Sequence, residues 1–178
     1  MSITLLLAEA FAYPYPGQVE WLEKGLRESG KVSGREREAR SQLAAFTKKV
    51  KALSLSEWEE LATRTLDLSP AAAPYIGFQV WGESYQRGEF MAKLNHAMLA
   101  LGVDTEGELP DHIAPVLVYL EAAGGGPIPE LVENFEPAVK RMIAILREKD
   151  KNNPYVGLFE AVLKVAPQAT IQEMGGKQ

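Results

Sequence analysis

Ile113-Ala114-Pro115-Val116-Leu117-Val118-Tyr119-Leu120 is apolar nearly all round when wound into a helix. Such a helix is stable only when neighbours cover it on several sides, so the stretch predicts a central helix at the middle of a bundle. Leu109-Pro110-Asp111-His112 opens it. Pro115 lacks an N–H and is tolerated best in a first turn, which puts that turn near Asp111 to Pro115. Asp is a favoured N-cap and gains from the positive helix end, so Asp111 is expected to cap.

The neighbours are legible on both sides. Leu43, Phe46, Val50 and Leu53 share one face of a segment running from about Glu36. Phe90, Met91, Leu94, Ala97, Met98 and Leu101 form a wider stripe, and Leu131, Phe135, Val139, Met142 and Leu146 repeat it. All follow the three-and-four spacing of helices packed on a core. Phe159, Val162 and Leu163 mark a last, shorter one. Tyr13-Pro14-Tyr15-Pro16-Gly17 ends the first helix and opens the second. Ser56 with Glu59 reads as a capping box for a helix beginning near Glu57. Gly102 is placed as a helix C-cap, and Asn152-Asn153-Pro154 as a break. No stretch alternates in the manner of a strand. The expectation is an all-α, single-domain bundle of seven to eight helices. It divides into a main bundle over 1–123, a Gly-rich joint at 124–126, C-terminal helices over 127–167 and a flexible tail at 168–178.

Composition excludes several classes of function. The 178 residues are 46% hydrophobic and 24% charged, as in ordinary globular domains. The absence of cysteine excludes disulfides, zinc–thiolate sites and iron–sulfur ligation by this chain, and suits a reducing compartment. The net charge is −5, and the densest basic stretch, Lys31 to Arg40, is interrupted by Glu36 and Glu38. A nucleic-acid partner, which demands a basic stripe, is not expected. No segment approaches the ~20 apolar residues of a membrane span. The N-terminus lacks the basic region of a signal peptide, so a cytoplasmic protein without direct membrane insertion is expected.

The common catalytic constellations are absent. There is no phosphate-cradling Gly-rich loop, no Gly-x-Ser-x-Gly elbow and no cysteine nucleophile. His96 falls on the polar side of its helix, leaving His112 without a second histidine for a metal site. No metal, no cofactor and no enzymatic activity are expected. Two clusters stay unexplained. Glu106, Glu108 and Asp111 crowd acidic groups before the central helix, with His112 beside them and Tyr119 two turns on. Gly82-Glu83-Ser84-Tyr85-Gln86-Arg87-Gly88 sets two glycines around an arginine. Gly88 costs about 1 kcal/mol inside a helix, which suggests close packing or a special turn there.

At these residues the chain resembles a known family. Glu108-Leu109-Pro110-Asp111-His112-Ile113 is similar to the Glu-Leu-Pro-Asp-His-Leu signature of the nitrate reductase delta-chain family, the NarJ branch of the molybdoenzyme assembly chaperones that include the TorD and DmsD types. Gly82 to Gly88 resembles its Gly-Asp-Ser-x-x-Arg-Gly stretch, and Leu66-Asp67-Leu68-Ser69-Pro70 its Phe-Asp-Leu-x-Pro stretch. Tyr13-Pro14 matches an early Tyr-Pro. The matches keep family order across about residues 5–122. Leu66 replaces the usual Phe, Glu83 replaces the usual Asp, and Thr65 lies where aromatic residues are common.

The resemblance implies an all-α cytoplasmic chaperone. Its partner would be the catalytic, molybdenum-binding subunit of an oxidoreductase, held through its N-terminal peptide until the molybdenum cofactor is inserted. In some branches that peptide is a twin-arginine signal. Such a chaperone needs an apolar groove with acidic groups to meet basic residues. Glu108, Asp111 and His112 are the expected rim, with Leu109 and Pro110 shaping it. Asp67 and Arg87 either border the groove, pair with each other or cap helices. His112, with a reference pKa near ~6.5, could tune release with pH. The alternatives are a permanent subunit of a respiratory complex and a helical metal-dependent hydrolase built on Asp111 and His112. Exchange of helices across Gly124–Gly126 leaves both a monomer and a helix-swapped dimer open.

Overall fold

The computed structural model describes residues 1–32, 34–68 and 72–168. Ser69 and Pro70 of the Leu66–Pro70 motif, and residues 169–178 of the expected tail, lie outside them. Among the described residues there are nine α-helices and no strand. They are α1 (Ile3–Ala10), α2 (Gln18–Glu28), α3 (Arg35–Lys51), α4 (Leu55–Ala62), α5 (Ile76–Trp81), α6 (Tyr85–Ala100), α7 (Ile113–Ala123), α8 (Pro129–Asp150) and α9 (Pro154–Lys164). A π-turn, Thr63–Asp67, continues α4. The helix beyond the expected count is accounted for by α5, whose six residues are too short to display a period.

The central helix is where the sequence put it. On α7, Ile113, Val116, Leu117, Tyr119 and Leu120 are buried, and only Ala114 and Val118 are partly open on the Ile113–Leu120 stretch. α1 lies along α7, α3 along α9, and α8 packs against α5 and α9. All nine helices contribute to one continuous apolar core. Gly124 ends α7 with a φ of +56°, and the Ile128 N–H donates to the buried Tyr119 hydroxyl at 3.0 Å. Burial of a phenol requires such a partner, which explains Tyr119.

Two expectations need correction. The capping box sits two residues earlier than expected, on Ser54 and Glu57. The Glu57 N–H donates to Ser54 Oγ at 3.1 Å, and the Ser54 N–H donates to Glu57 Oε2 at 2.7 Å. Both Ser-x-x-Glu registers are present in the sequence, and the earlier one forms. The α6 stripe is also narrower than expected. Phe90, Leu94 and Met98 are buried, Met91 and Ala97 are half-buried, and Leu101 is exposed. Gly88 is exposed on this helix, and a Cβ there would meet nothing within 4 Å. Close packing does not explain it.

Candidate functional site

The segment between α6 and α7 builds one wall of a cleft. α6 ends in a Schellman motif: Gly102, at φ +68°, donates to Leu99 O at 3.1 Å, and Val103 donates to Met98 O at 2.9 Å. Only glycine takes that conformation without strain, as the sequence reading of Gly102 required. Asp104 Oδ1 then accepts from the Glu106 N–H at 2.8 Å, an Asx turn that holds Glu106 at a positive φ of +53°. The segment closes on the chain before α5 by a two-sided bridge. Ile76 donates to Asp111 O and Ile113 to Pro74 O, each at 2.8 Å.

Asp111 lies at that bridge with no accessible surface. Its Oδ2 accepts from Arg87 Nε at 2.9 Å and from the Gly77 N–H at 3.1 Å, and its Oδ1 accepts from Arg87 Nη2 at 3.2 Å. Arg87 is itself buried, its guanidinium 5.5 Å from the ring centres of both Tyr75 and Phe78. The geometry is the bidentate fork that suits a desolvated carboxylate. A Cβ on Gly77 would come 2.8 Å from Asp111 Oδ2 and 3.1 Å from Arg87 Cγ, so glycine is what admits the pair.

Asp111 is therefore not the cap of α7. His112 is, its Nδ1 accepting from the Ala114 N–H at 3.1 Å. That bond requires Nδ1 to be unprotonated. Burial pushes the His112 pKa below its ordinary 6.5, against the upward pull of Glu108, Asp111 and Asp67. The Tyr75 ring stands edge-on to the imidazole at 5.2 Å, and its hydroxyl donates to Glu108 Oε2 at 3.4 Å. Burial, then Glu108, raises the Tyr75 pKa.

The cleft encloses about 780 Å³. Its apolar surface comes from α1 (Leu5, Ala8), from α7 (Pro115, Val118) and from Leu66 and Val103, with Phe11, Tyr13 and Trp21 adding aromatic area. Five carboxylates line it, Glu9, Asp67, Asp104, Glu106 and Glu108, and among the described residues no Lys or Arg side chain does. His112 also borders it.

Of the residues singled out from sequence, the structure brings Asp67, Glu106, Glu108 and His112 to the cleft. Asp111 and Arg87 lie behind its wall, paired with each other and not with Asp67. Leu109 is 46% exposed and Pro110 half-buried, and neither lines the cleft. They form the turn in which His112 donates to Leu109 O at 3.0 Å. Glu9, Asp104, Phe11, Tyr13 and Trp21 were not foreseen. They are scattered along the chain, so no local spacing could have marked them as one surface. Tyr13-Pro14 was the one nearby signal. His96 is exposed on α6, and among the described residues no group of three or more His, Asp or Glu side chains could hold a metal ion. Among them, no helix is long and apolar enough to cross a membrane.

Comparison with curated proteins finds no match. A family model, nitrate reductase delta subunit, matches residues 31–161, a span that holds the π-turn, the Arg87–Asp111 pair and the whole acidic wall from Asp104 to His112. The chain belongs to the nitrate reductase delta subunit family.

Proposed function

We propose that this protein is an assembly chaperone for a molybdenum-containing oxidoreductase, with nitrate reductase the client that its family name indicates. It holds the immature catalytic subunit by an N-terminal segment and keeps it competent for insertion of the molybdenum cofactor, acting in the cytoplasm. The observation that carries this reading is the cleft lining, apolar on α1 and α7 and bordered by five carboxylates, with no basic side chain among the described residues. An amphipathic peptide with basic residues is complementary to such a surface. Family membership supports the same assignment.

In this reading Glu108, Asp67 and His112 meet the peptide, and Asp111 with Arg87 holds the wall from behind. Leu109 and Pro110 form the turn that carries Glu108 to its place. Affinity is moderate, because the peptide loses conformational freedom on docking and must finally be released.

The test is calorimetric titration with a synthetic peptide of the N-terminal segment of the neighbouring molybdoenzyme's catalytic subunit, beside a scrambled peptide. The native peptide alone should bind. Glu108→Gln should weaken it by roughly 3- to 10-fold and flatten its salt dependence, as expected for a charge pair at a partly open site. Equal binding of the native and scrambled peptides would sink the reading. Recovery of the protein with mature, cofactor-loaded enzyme would point instead to a permanent subunit.

A further inference from the structure

One stretch of the cleft wall is held from the far side of the bundle. In the π-turn after α4, the Leu68 N–H donates five residues back to Thr63 O at 3.0 Å. π-turns are rare, arise as single-turn insertions and recur at functional sites. The additional residue rotates the chain beyond the turn by one residue's step around the helix, ~100°. Leu66 and Asp67 both emerge from this turn into the cleft.

Thr65, immediately before them, is 2% exposed and has its partner 88 residues away: Asn153 Nδ2 donates to Thr65 Oγ1 at 2.8 Å. Asn153 is buried as well and is the N-cap of α9, its Oδ1 accepting from the Tyr155 N–H at 2.9 Å. Two residues on, the Tyr155 hydroxyl accepts from Trp58 Nε1 of α4 at 3.1 Å. The corner between α8 and α9 thus grips α4 and its π-turn through two buried polar contacts. Neither α8 nor α9 supplies a residue to the cleft lining.

We propose that the Asn153–Thr65 hydrogen bond is a positioning contact for peptide binding, fixing the π-turn and with it the Asp67 carboxylate in the cleft. The inference rests on the peptide-binding reading given above. The bond satisfies both α9 capping and the wall of the site, so one asparagine ties the C-terminal helices to recognition. Losing the threonine oxygen leaves this buried amide donor unmet, which favours rearrangement of the turn.

The full-length protein is titrated with the same catalytic-subunit peptide, and folding of each variant is checked by circular dichroism. Thr65→Val, which keeps the shape and removes the acceptor, should weaken binding by about 5- to 10-fold, whereas Thr65→Ser should stay within about 2-fold. Asp67→Asn should weaken binding in the wild-type background and add little on Thr65→Val, since residues acting through one another are non-additive. A merely structural threonine would instead give effects that multiply. Asn153→Ser retains a cap oxygen and withdraws only the amide donor, so it must reproduce the Thr65→Val profile and serves if that variant does not fold. Unchanged binding in Thr65→Val or in Asn153→Ser, or multiplying effects with Asp67→Asn, overturns the positioning role alone. Failure of the wild-type protein to bind overturns it together with the peptide reading.

Discussion

Where α3 meets α9, Phe46 stands edge-on to Tyr155 with ring centres 5.0 Å apart, and Leu43, Val50, Leu158 and Val162 join the same buried core. Where α6 meets the start of α7, the contact is a charged pair, Arg87 on Asp111, closed over by Gly77, Tyr75 and Phe78. The two joints respond to change by different rules. An apolar interface loses stability by the volume removed and repacks in part. A buried pair depends on both partners, because either one alone is an unsolvated charge. The second kind lies behind the acidic wall of the cleft, where it sets geometry more than it adds stability.

The sharpest way to break that contrast is Asp111→Ala. It should cost about 3–5 kcal/mol in denaturant unfolding, the loss expected when one member of a buried pair is removed. The double change Arg87→Met with Asp111→Leu should recover much of that loss while still weakening peptide binding. If the single and double changes were equally damaging, the joint would be held by shape and not by charge.

Gly77→Ala probes the same joint without touching a charge. The new methyl would press on Asp111 Oδ2 at 2.8 Å. A loss of about 1–3 kcal/mol is expected from such overpacking. The same substitution at exposed Gly88 should be neutral or stabilising, by up to about 1 kcal/mol, because alanine is the better helix former. Thermal unfolding of the two variants, side by side, separates a glycine required by packing from one that no internal contact requires.

The smallest effect concerns pH. Burial holds the folded His112 pKa below 6.5, so the unfolded chain binds a proton that the folded one resists. The resulting stability is fully present above pH 6.5 and is lost as pH falls from there through the folded pKa. The slope from this one group cannot exceed about 1.4 kcal/mol per pH unit. In His112→Gln that component of the slope should vanish below about pH 6.5. An unchanged slope would assign the pH response to the carboxylates.

The legibility of these regions in the sequence differs for the same physical reason. Leu131, Phe135, Val139, Met142 and Leu146 announce α8 because helical periodicity is local, and every one of them is buried. The Asp111-His112 pair announced a helix start, but the cap expected on Asp111 falls to His112. Two neighbouring side chains can both cap, and the choice was made by Arg87, 24 residues earlier in the chain, which claims the carboxylate and leaves the cap to the imidazole. The π-turn had no local sequence signal, since its partner Asn153 lies 88 residues on and reads locally only as part of the break at Asn152-Asn153-Pro154.

Sequence alone determined the all-helical architecture, the central position of α7, the glycine-terminated end of α6 and the acidic cluster before α7. All of these follow from spacing within one or two turns, where side chains meet in any copy of the same helix. Tertiary structure decided which carboxylates are buried and which face the cleft. It also joined Glu9 and Trp21 near the start of the chain to Glu108 and His112, and set Thr65 against Asn153. Those pairings join residues far apart in the chain, and only the packing of α1 on α7 and of the α8–α9 corner on α4 brings them within reach.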